Sequence, residues 1–220
     1  YYETNRYGRR GAGIHAMSGA DIALWDLKGK IEDKPVSEFL GGRVRDDVRA
    51  YASVLFADTP EETASMAREY VDMGLTAVKF GWGPIGPDPD VDLAHVAAAR
   101  EAVGWDRDLM VDAGHAWDWE TALGRTELFK PYKIAWLEEP VGQDDRKGYA
   151  ELCKRSEIPI AGGEGDVTHW DFEDLIERGL DIVQPDIAFC GGITVCKRVS
   201  DMTTAQGRRA VPHCFSTGIN

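Results

Sequence analysis

From residue 48 onward, short apolar runs alternate with longer stretches whose apolar residues recur every three or four positions. The runs VRAYASVLF (48–56), LTAVKF (75–80), DLMVDAG (108–114), IAWLEEP (134–140), IPIAGGE (158–164), DIVQPD (181–186) and RRAVPHC (208–214) read as strands. Residues 60–74, 90–104, 118–130, 145–156, 168–179 and 192–206 read as helices between them. Pro60 opens the first of these, and Gly74 and Gly104 stop the first two. Apolar strands separated by amphipathic helices, in units of roughly 25–30 residues, predict a parallel sheet with helical crossovers.

Seven such strands fit two architectures. An open doubly wound sheet would carry a GxGxxG turn after its first strand, and none is present. GWGPIG (81–86) follows the second strand and not the first, and it carries Pro84 within it and Pro87 directly after it. The expectation is therefore an α/β chain of the (β/α)8 TIM-barrel type, with seven strands present and the eighth lying beyond Asn220. Residues 14–41 differ, reading as a long amphipathic helix that ends near Gly29 and a shorter one after Pro35. The stripe Ile14, Met17, Asp21, Leu24, Leu27 and Lys28 would pack outside or under the barrel. The expected division is a helical lead-in over 1–45 and a barrel over 46–220 that would stop before its eighth strand.

Composition narrows the partners. The 220 residues carry 25 Lys plus Arg against 38 Asp plus Glu, a net charge of −13. That balance argues against nucleic acid and anionic membranes, which need clustered cations. An anionic substrate would need local help from a metal or a few placed cations. The four cysteines, Cys153, Cys190, Cys196 and Cys214, lack CxxC or zinc spacing and read as reduced thiols in a cytoplasmic protein. No apolar run has the length of a membrane span, and no signal peptide is visible.

Chemistry emerges when the strand ends are aligned. Asp112 closes the third strand, Glu138 the fourth and Glu164 the fifth, at separations of 138 − 112 = 26 and 164 − 138 = 26. Asp186 and His213 close the next two (186 − 164 = 22; 213 − 186 = 27). In a parallel barrel, equivalent strand ends meet at the C-terminal mouth, where barrel enzymes keep their active sites. Three carboxylates converging there would repel unless a cation sat among them, and hard oxygen donors favour Mg2+. A single strand-end acid is more often a helix cap or a solvated loop residue; three in register are harder to explain that way. Glu138 and Glu139 should point to opposite faces of a strand, one to the mouth and one towards the helices, pairing with a cation or capping a backbone group. Periodicity does not say which is which.

The set VDAG, WLEEP, GGE, QPD and the late histidine resembles the enolase superfamily, in its mandelate racemase-like branch. MSGADIALWDLKGK followed by KPVSEFLGG is similar to the stretch that joins that family's N-terminal α+β capping domain to its barrel. The resemblance spans nearly all of residues 12–220. It implies that Asp112, Glu138 and Glu164 bind Mg2+, and that Asp186 and His213 form a hydrogen-bonded dyad in which His213 is the acid or base. It further implies proton abstraction next to a substrate carboxylate, the ene-diolate chemistry for which this superfamily is a standard example. A small carboxylate substrate and a homo-oligomer follow from the same resemblance, as does a capping domain outside this sequence.

Two departures refine the expectation. The family carries Lys-x-Lys at the end of its second strand; here Lys79 matches the first lysine, but Gly81 replaces the second, basic one. Lys79 would neutralise the substrate carboxylate. A two-base racemase loses support, and a one-base elimination through His213 gains it. Gly114 stands where the family often has Asn or His, and His115, one residue on, either replaces that function or lines the mouth. Trp82, Trp117 and Trp119 cluster near these strand ends, as packing or as a wall for a sugar chain. The expectation is an Mg2+-dependent dehydratase of a sugar-derived acid, a lyase, with His115 and Trp82 as substrate-contacting residues. A racemase or epimerase on the same enolate, or a metal-binding barrel without turnover, are the alternatives.

Overall fold

A computed structural model describes Glu3, Arg6 and residues 8–214. In chain order the elements are α1 (Ala12–Glu32), α2 (Val36–Phe39), β1 (Ala52–Leu55), α3 (Pro60–Asp72), β2 (Ala77–Gly81), α4 (Pro89–Val103), β3 (Asp108–Asp112) and α5 (Trp119–Phe129). They continue as β4 (Leu137–Glu138), α6 (Arg146–Arg155), β5 (Ile160–Gly162), α7 (Thr168–Glu177), β6 (Ile182–Val183), α8 (Gly192–Ala205) and β7 (Arg209–Ala210). The seven strands follow one another in sequence order in the sheet, and the registered pairs are parallel. A doubly wound sheet reverses its strand order at a switch point; this order has no reversal, as the (β/α)-barrel type requires. Among the described residues, no helix is long and apolar enough to cross a membrane.

The chain packs as two compact units, residues 49–161 and residues 1–48 with 162–220. In the first, each helix starts where sequence chemistry places it. Thr59 and Glu62 form a reciprocal capping box ahead of α3, with Pro60 in the first turn. Asp88, Asp118 and Asp145 cap α4, α5 and α6 by accepting from free backbone N–H groups. Val78, Phe80, Leu109, Val111, Leu137 and Ile160 are fully buried between sheet and helices. This is the pattern expected of strands covered on both faces.

In the second unit, Gln184 N–H donates to Gly162 O, joining the end of β5 to the chain after β6, and β6 pairs with β7. The lead-in helix departs from expectation in two ways. It runs through Gly29 to Glu32, because Gly29 serves a close approach instead of a stop: a Cβ there would lie 2.8 Å from the Lys34 carbonyl oxygen. Asp33 ends the helix in left-handed geometry (φ 51°). The apolar stripe also fails to face inward as a whole. Ile14 is buried, but Leu24 and Leu27 are exposed, and α1 meets α8 through polar groups. Asp21 accepts from the Thr194 N–H and hydroxyl, Ser18 Oγ accepts from Gly191 N–H, and Trp25 Nε1 donates to Thr194 Oγ1. The ladders are also shorter than the apolar runs, IAWLEEP contributing only Leu137–Glu138.

Candidate active site

Strand register sets a first cluster, within residues 49–161. Gly81 pairs with Asp112, and Asp112 with Glu138, so three successive strands end in one row. Lys79 lies two residues before Gly81 and therefore on the same face of β2. It is buried, and its ammonium lies 3.6 Å from Asp112 Oδ2 and donates to Glu138 Oε1. The second oxygen of Glu138 accepts from Trp136 Nε1 at 2.9 Å, and Asp112 Oδ1 accepts from Gly114 N–H at 2.9 Å.

Two carboxylates against one ammonium leave the cluster short of positive charge. Asp112 is 6% exposed and Glu138 fully buried. Burial, then repulsion from Glu138, push the Asp112 carboxyl up to about 6, against the pull of Lys79 and the Gly114 N–H. Burial alone would lower the Lys79 ammonium, but Glu138 and Asp112 outweigh it and raise it. Lys79 is thus held charged inside the protein rather than lying on the surface.

Glu139 does not continue the strand. Its φ of 43° turns the chain out of β4, so simple alternation does not separate the two glutamates; the backbone turn does. Glu139 Oε2 lies 2.9 Å from His115 Nε2, and His115 Nδ1 lies 2.9 Å from the Val141 carbonyl oxygen. A carbonyl and a carboxylate only accept, so both ring nitrogens must donate, and His115 is an imidazolium. The hydrogen bond to Glu139 leads the causes that raise its pKa to about 9, despite burial. The partner of Glu139 is thus a cation, as one of the expected alternatives held. His115 itself has no free ring nitrogen to offer a substrate.

Both family departures have a local cause. A Cβ on Gly81 would lie 2.7 Å from Asp112 Cβ and 3.1 Å from its Cγ. A Cβ on Gly114, already at φ +54°, would meet the Trp82 ring at 2.9 to 3.2 Å. Of the three clustered tryptophans, Trp117 is buried, and Trp119 packs 5.1 Å from the Arg155 guanidinium; Trp82 is 51% exposed. Sequence patterning sees glycines of this kind only as missing side chains.

A second cluster lies within the other unit. Asp186 and His213 face each other as a parallel bridge, and His213 Nδ1 lies 2.7 Å from Asp186 Oδ2. Because the carboxylate only accepts, Nδ1 carries the proton. Nε2 lies 3.3 Å from Glu164 Oε2. Asp186 is buried, and its Oδ1 accepts from Ala188 N–H at 2.6 Å, which fixes the dyad in place. The structure thus brings Lys79, Asp112 and Glu138 together in one unit, and Glu164, Asp186 and His213 together in the other. Among the described residues, no group of three or more His, Cys, Asp and Glu forms a ready-made metal cluster. The donor chemistry nevertheless suits a hard cation: the buried groups are carboxylates, and in the first cluster they outnumber the ammonium.

Parallel strands ending in acids, with an Asp–His pair at the end of the run, define a class of barrel built around carboxylate chemistry at strand C-termini. The chain belongs to the enolase superfamily: residues 62–220 match the family described as Enolase C-terminal domain-like. It is 38% identical over 219 residues to D-galactarolactone cycloisomerase of Agrobacterium fabrum, covering 96% of this chain and 57% of that protein. It is 35% identical over 224 residues to arabinonate dehydratase of Saccharolobus solfataricus, covering 100% and 59%. A mandelate racemase/muconate lactonizing protein from Paracoccus denitrificans, solved in complex with magnesium, superposes with a TM-score of 0.91 at 31% identity, covering 97% and 59%. The chain therefore spans about three fifths of the length of these relatives.

Proposed function

We propose that the protein is an Mg2+-dependent dehydratase of a sugar-derived acid, converting a 2,3-dihydroxy acid into its 2-keto-3-deoxy product. The observation that carries this reading is the single working base. His213 has its Nδ1–H anchored on Asp186, and its Nε2 lies 3.3 Å from Glu164 Oε2. At Gly81, where a second base would stand, no side chain fits beside Asp112 without displacing it. A racemase or epimerase needs two bases on opposite faces, whereas an elimination needs one.

In the proposed reaction, His213 Nε2 removes the proton α to the carboxylate, and Asp186 stabilises the imidazolium that forms. The same Nε2–H then protonates the departing β-hydroxyl, which leaves as water. The proton taken from carbon thus departs with oxygen, and the resulting enol tautomerises to the keto acid. Lys79 contributes fixed positive charge towards the substrate carboxylate. We assign Asp112, Glu138 and Glu164 as the Mg2+ ligands. The bound ion would supply electrostatic stabilisation of the enediolate. The first glutamate of the EEP is the ligand in this assignment, because the second is committed to His115. A homo-oligomer in the cytoplasm, without nucleic-acid or membrane partners, completes the reading.

A second reading has one observation in its favour, the 38% identity to a cycloisomerase whose name specifies a lactone. If the leaving oxygen belonged to a ring, the same α-proton removal would open the ring instead of releasing water. Incubation of the natural-length protein with Mg2+ and a panel of aldonic, aldaric and lactone substrates separates the two. Dehydration yields a 2-keto acid from an open-chain acid, lost with EDTA and with His213→Asn. Product from lactones alone would establish the second reading.

A further inference from the structure

We infer that Trp82 is a specificity-determining residue whose open indole face is a platform for the carbon chain of the substrate, beyond its carboxylate end. This inference rests on the acid-sugar reading above and deepens it. The three distances from the Gly114 Cβ position to Trp82 Cδ2, Cε2 and Cε3 are 2.9, 3.1 and 3.2 Å. A point nearly equidistant from a bridgehead atom and both its six-ring neighbours lies above the ring plane, not at its edge. One face of the indole therefore rests on Gly114, while the residue as a whole is 51% exposed.

The cost of this placement indicates what it is for. Trp82 has φ 57°, a left-handed conformation that is rare for a bulky residue and characteristic of functional sites. Its N–H is held by the carbonyl of Asp112 at 3.2 Å, which ties the platform to the strand end that carries a proposed metal ligand. Exposing a large aromatic in a strained backbone gains nothing for the core.

The loop that carries Trp82 is also braced from beneath. Gly86 N–H donates to Asp92 Oδ1 at 2.8 Å, and Gly86 O accepts from Trp117 Nε1 at 2.6 Å. Arg125 Nε donates to Asp92 Oδ2 at 2.6 Å, closing a buried network around one loop residue, Gly86. The N–H bond of Trp82 to Asp112 and the seating of its ring on Gly114 position the ring before any ligand arrives, the condition under which a contact contributes to affinity without an ordering cost. The ligand that matches a flat aromatic face beside a carboxylate-binding centre is a polyhydroxylated chain. Its C–H side lies on the ring, and its hydroxyls point away to water or to polar groups.

The test is calorimetric titration of the natural-length protein with Mg2+ and aldonates of increasing length, from glycerate to hexonates. His213→Asn serves as the background, so that no turnover intrudes. Trp82→Ala is expected to weaken pentonate and hexonate binding on the order of tenfold and to leave glycerate unchanged, while Trp82→Phe retains most of the affinity. Trp82→Leu, which keeps an apolar side chain but removes the flat face, is expected to reproduce the length-graded loss and serves if Trp82→Ala folds poorly. Equal affinities at every length, an equal loss at every length, or no aldonate binding would overturn the platform. Length-graded binding with no keto product from the His213-intact protein would keep the platform and defeat the dehydratase. Keto product with unchanged length preference in Trp82→Ala would do the reverse.

Discussion

Glu139 and His115 form a closed ion pair 2.9 Å apart at the end of β4, while the adjacent Glu138 turns to Lys79. Two neighbouring carboxylates are thereby given different cations and different tasks. The backbone enforces the division, with Glu139 and His115 both in left-handed geometry and His115 N–H bonded to Glu139 O at 2.7 Å. The pair has a pH signature. The folded pKa of His115, about 9, lies above its ordinary value near 6.5, so its contribution is complete below the ordinary value and is lost as pH rises through about 9. Thermal unfolding between pH 6 and 10 should show this decline in the parent protein and a flatter profile in Glu139→Gln.

Restoring the family's second lysine should disable the site. Gly81→Lys and Gly81→Ala both press a Cβ to 2.7 Å from Asp112 Cβ. A displacement of that size at a proposed metal ligand is expected to lower kcat/KM on the order of 100-fold. Neither variant should gain epimerase activity. Steady-state kinetics with chiral product analysis checks both outcomes.

Metal binding should be proton-linked. Asp112 titrates at about 6, raised by burial and by Glu138. A carboxylate with a raised folded pKa costs stability as pH climbs through that value, and a cation that requires the ionised form reverses the cost. The rise in melting temperature produced by Mg2+ is therefore expected to be small at pH 5 and to grow towards pH 7. Asp112→Asn should remove that growth in the same melting series.

Most strands and helices, and their order, were legible in the sequence, because apolar runs and helical periods alternate cleanly. Asp186 and His213 were legible as strand-end residues from the same spacing, and their pairing from the resemblance. What was hidden was steric. Gly29 read as a helix stop but serves the approach of Lys34, and Gly81 and Gly114 read as lost functional residues but make room for Asp112 and for Trp82. A contact made by the absence of a side chain has no periodic signature. The His115–Glu139 pair was hidden for another reason, since it joins two loops through a backbone turn that no alternation rule anticipates.

The buried Asp92–Arg125 pair should be costly to break. Asp92 is fully buried and also accepts from Gly86 N–H. Arg125→Met leaves that charge uncompensated and is expected to destabilise the protein by about 3–5 kcal/mol. Urea denaturation measures the loss.

The most direct test of the one-base elimination is a reaction in D2O with Mg2+, followed by NMR for exchange at the α-carbon and for 2-keto acid in the same tube. The account predicts keto acid as the product, with both signals lost in His213→Asn. Inversion at the α-carbon without keto acid would contradict it and mean that a second base operates despite Gly81. Exchange with retention and no keto acid would contradict it by showing that His213 enolises the acid without eliminating.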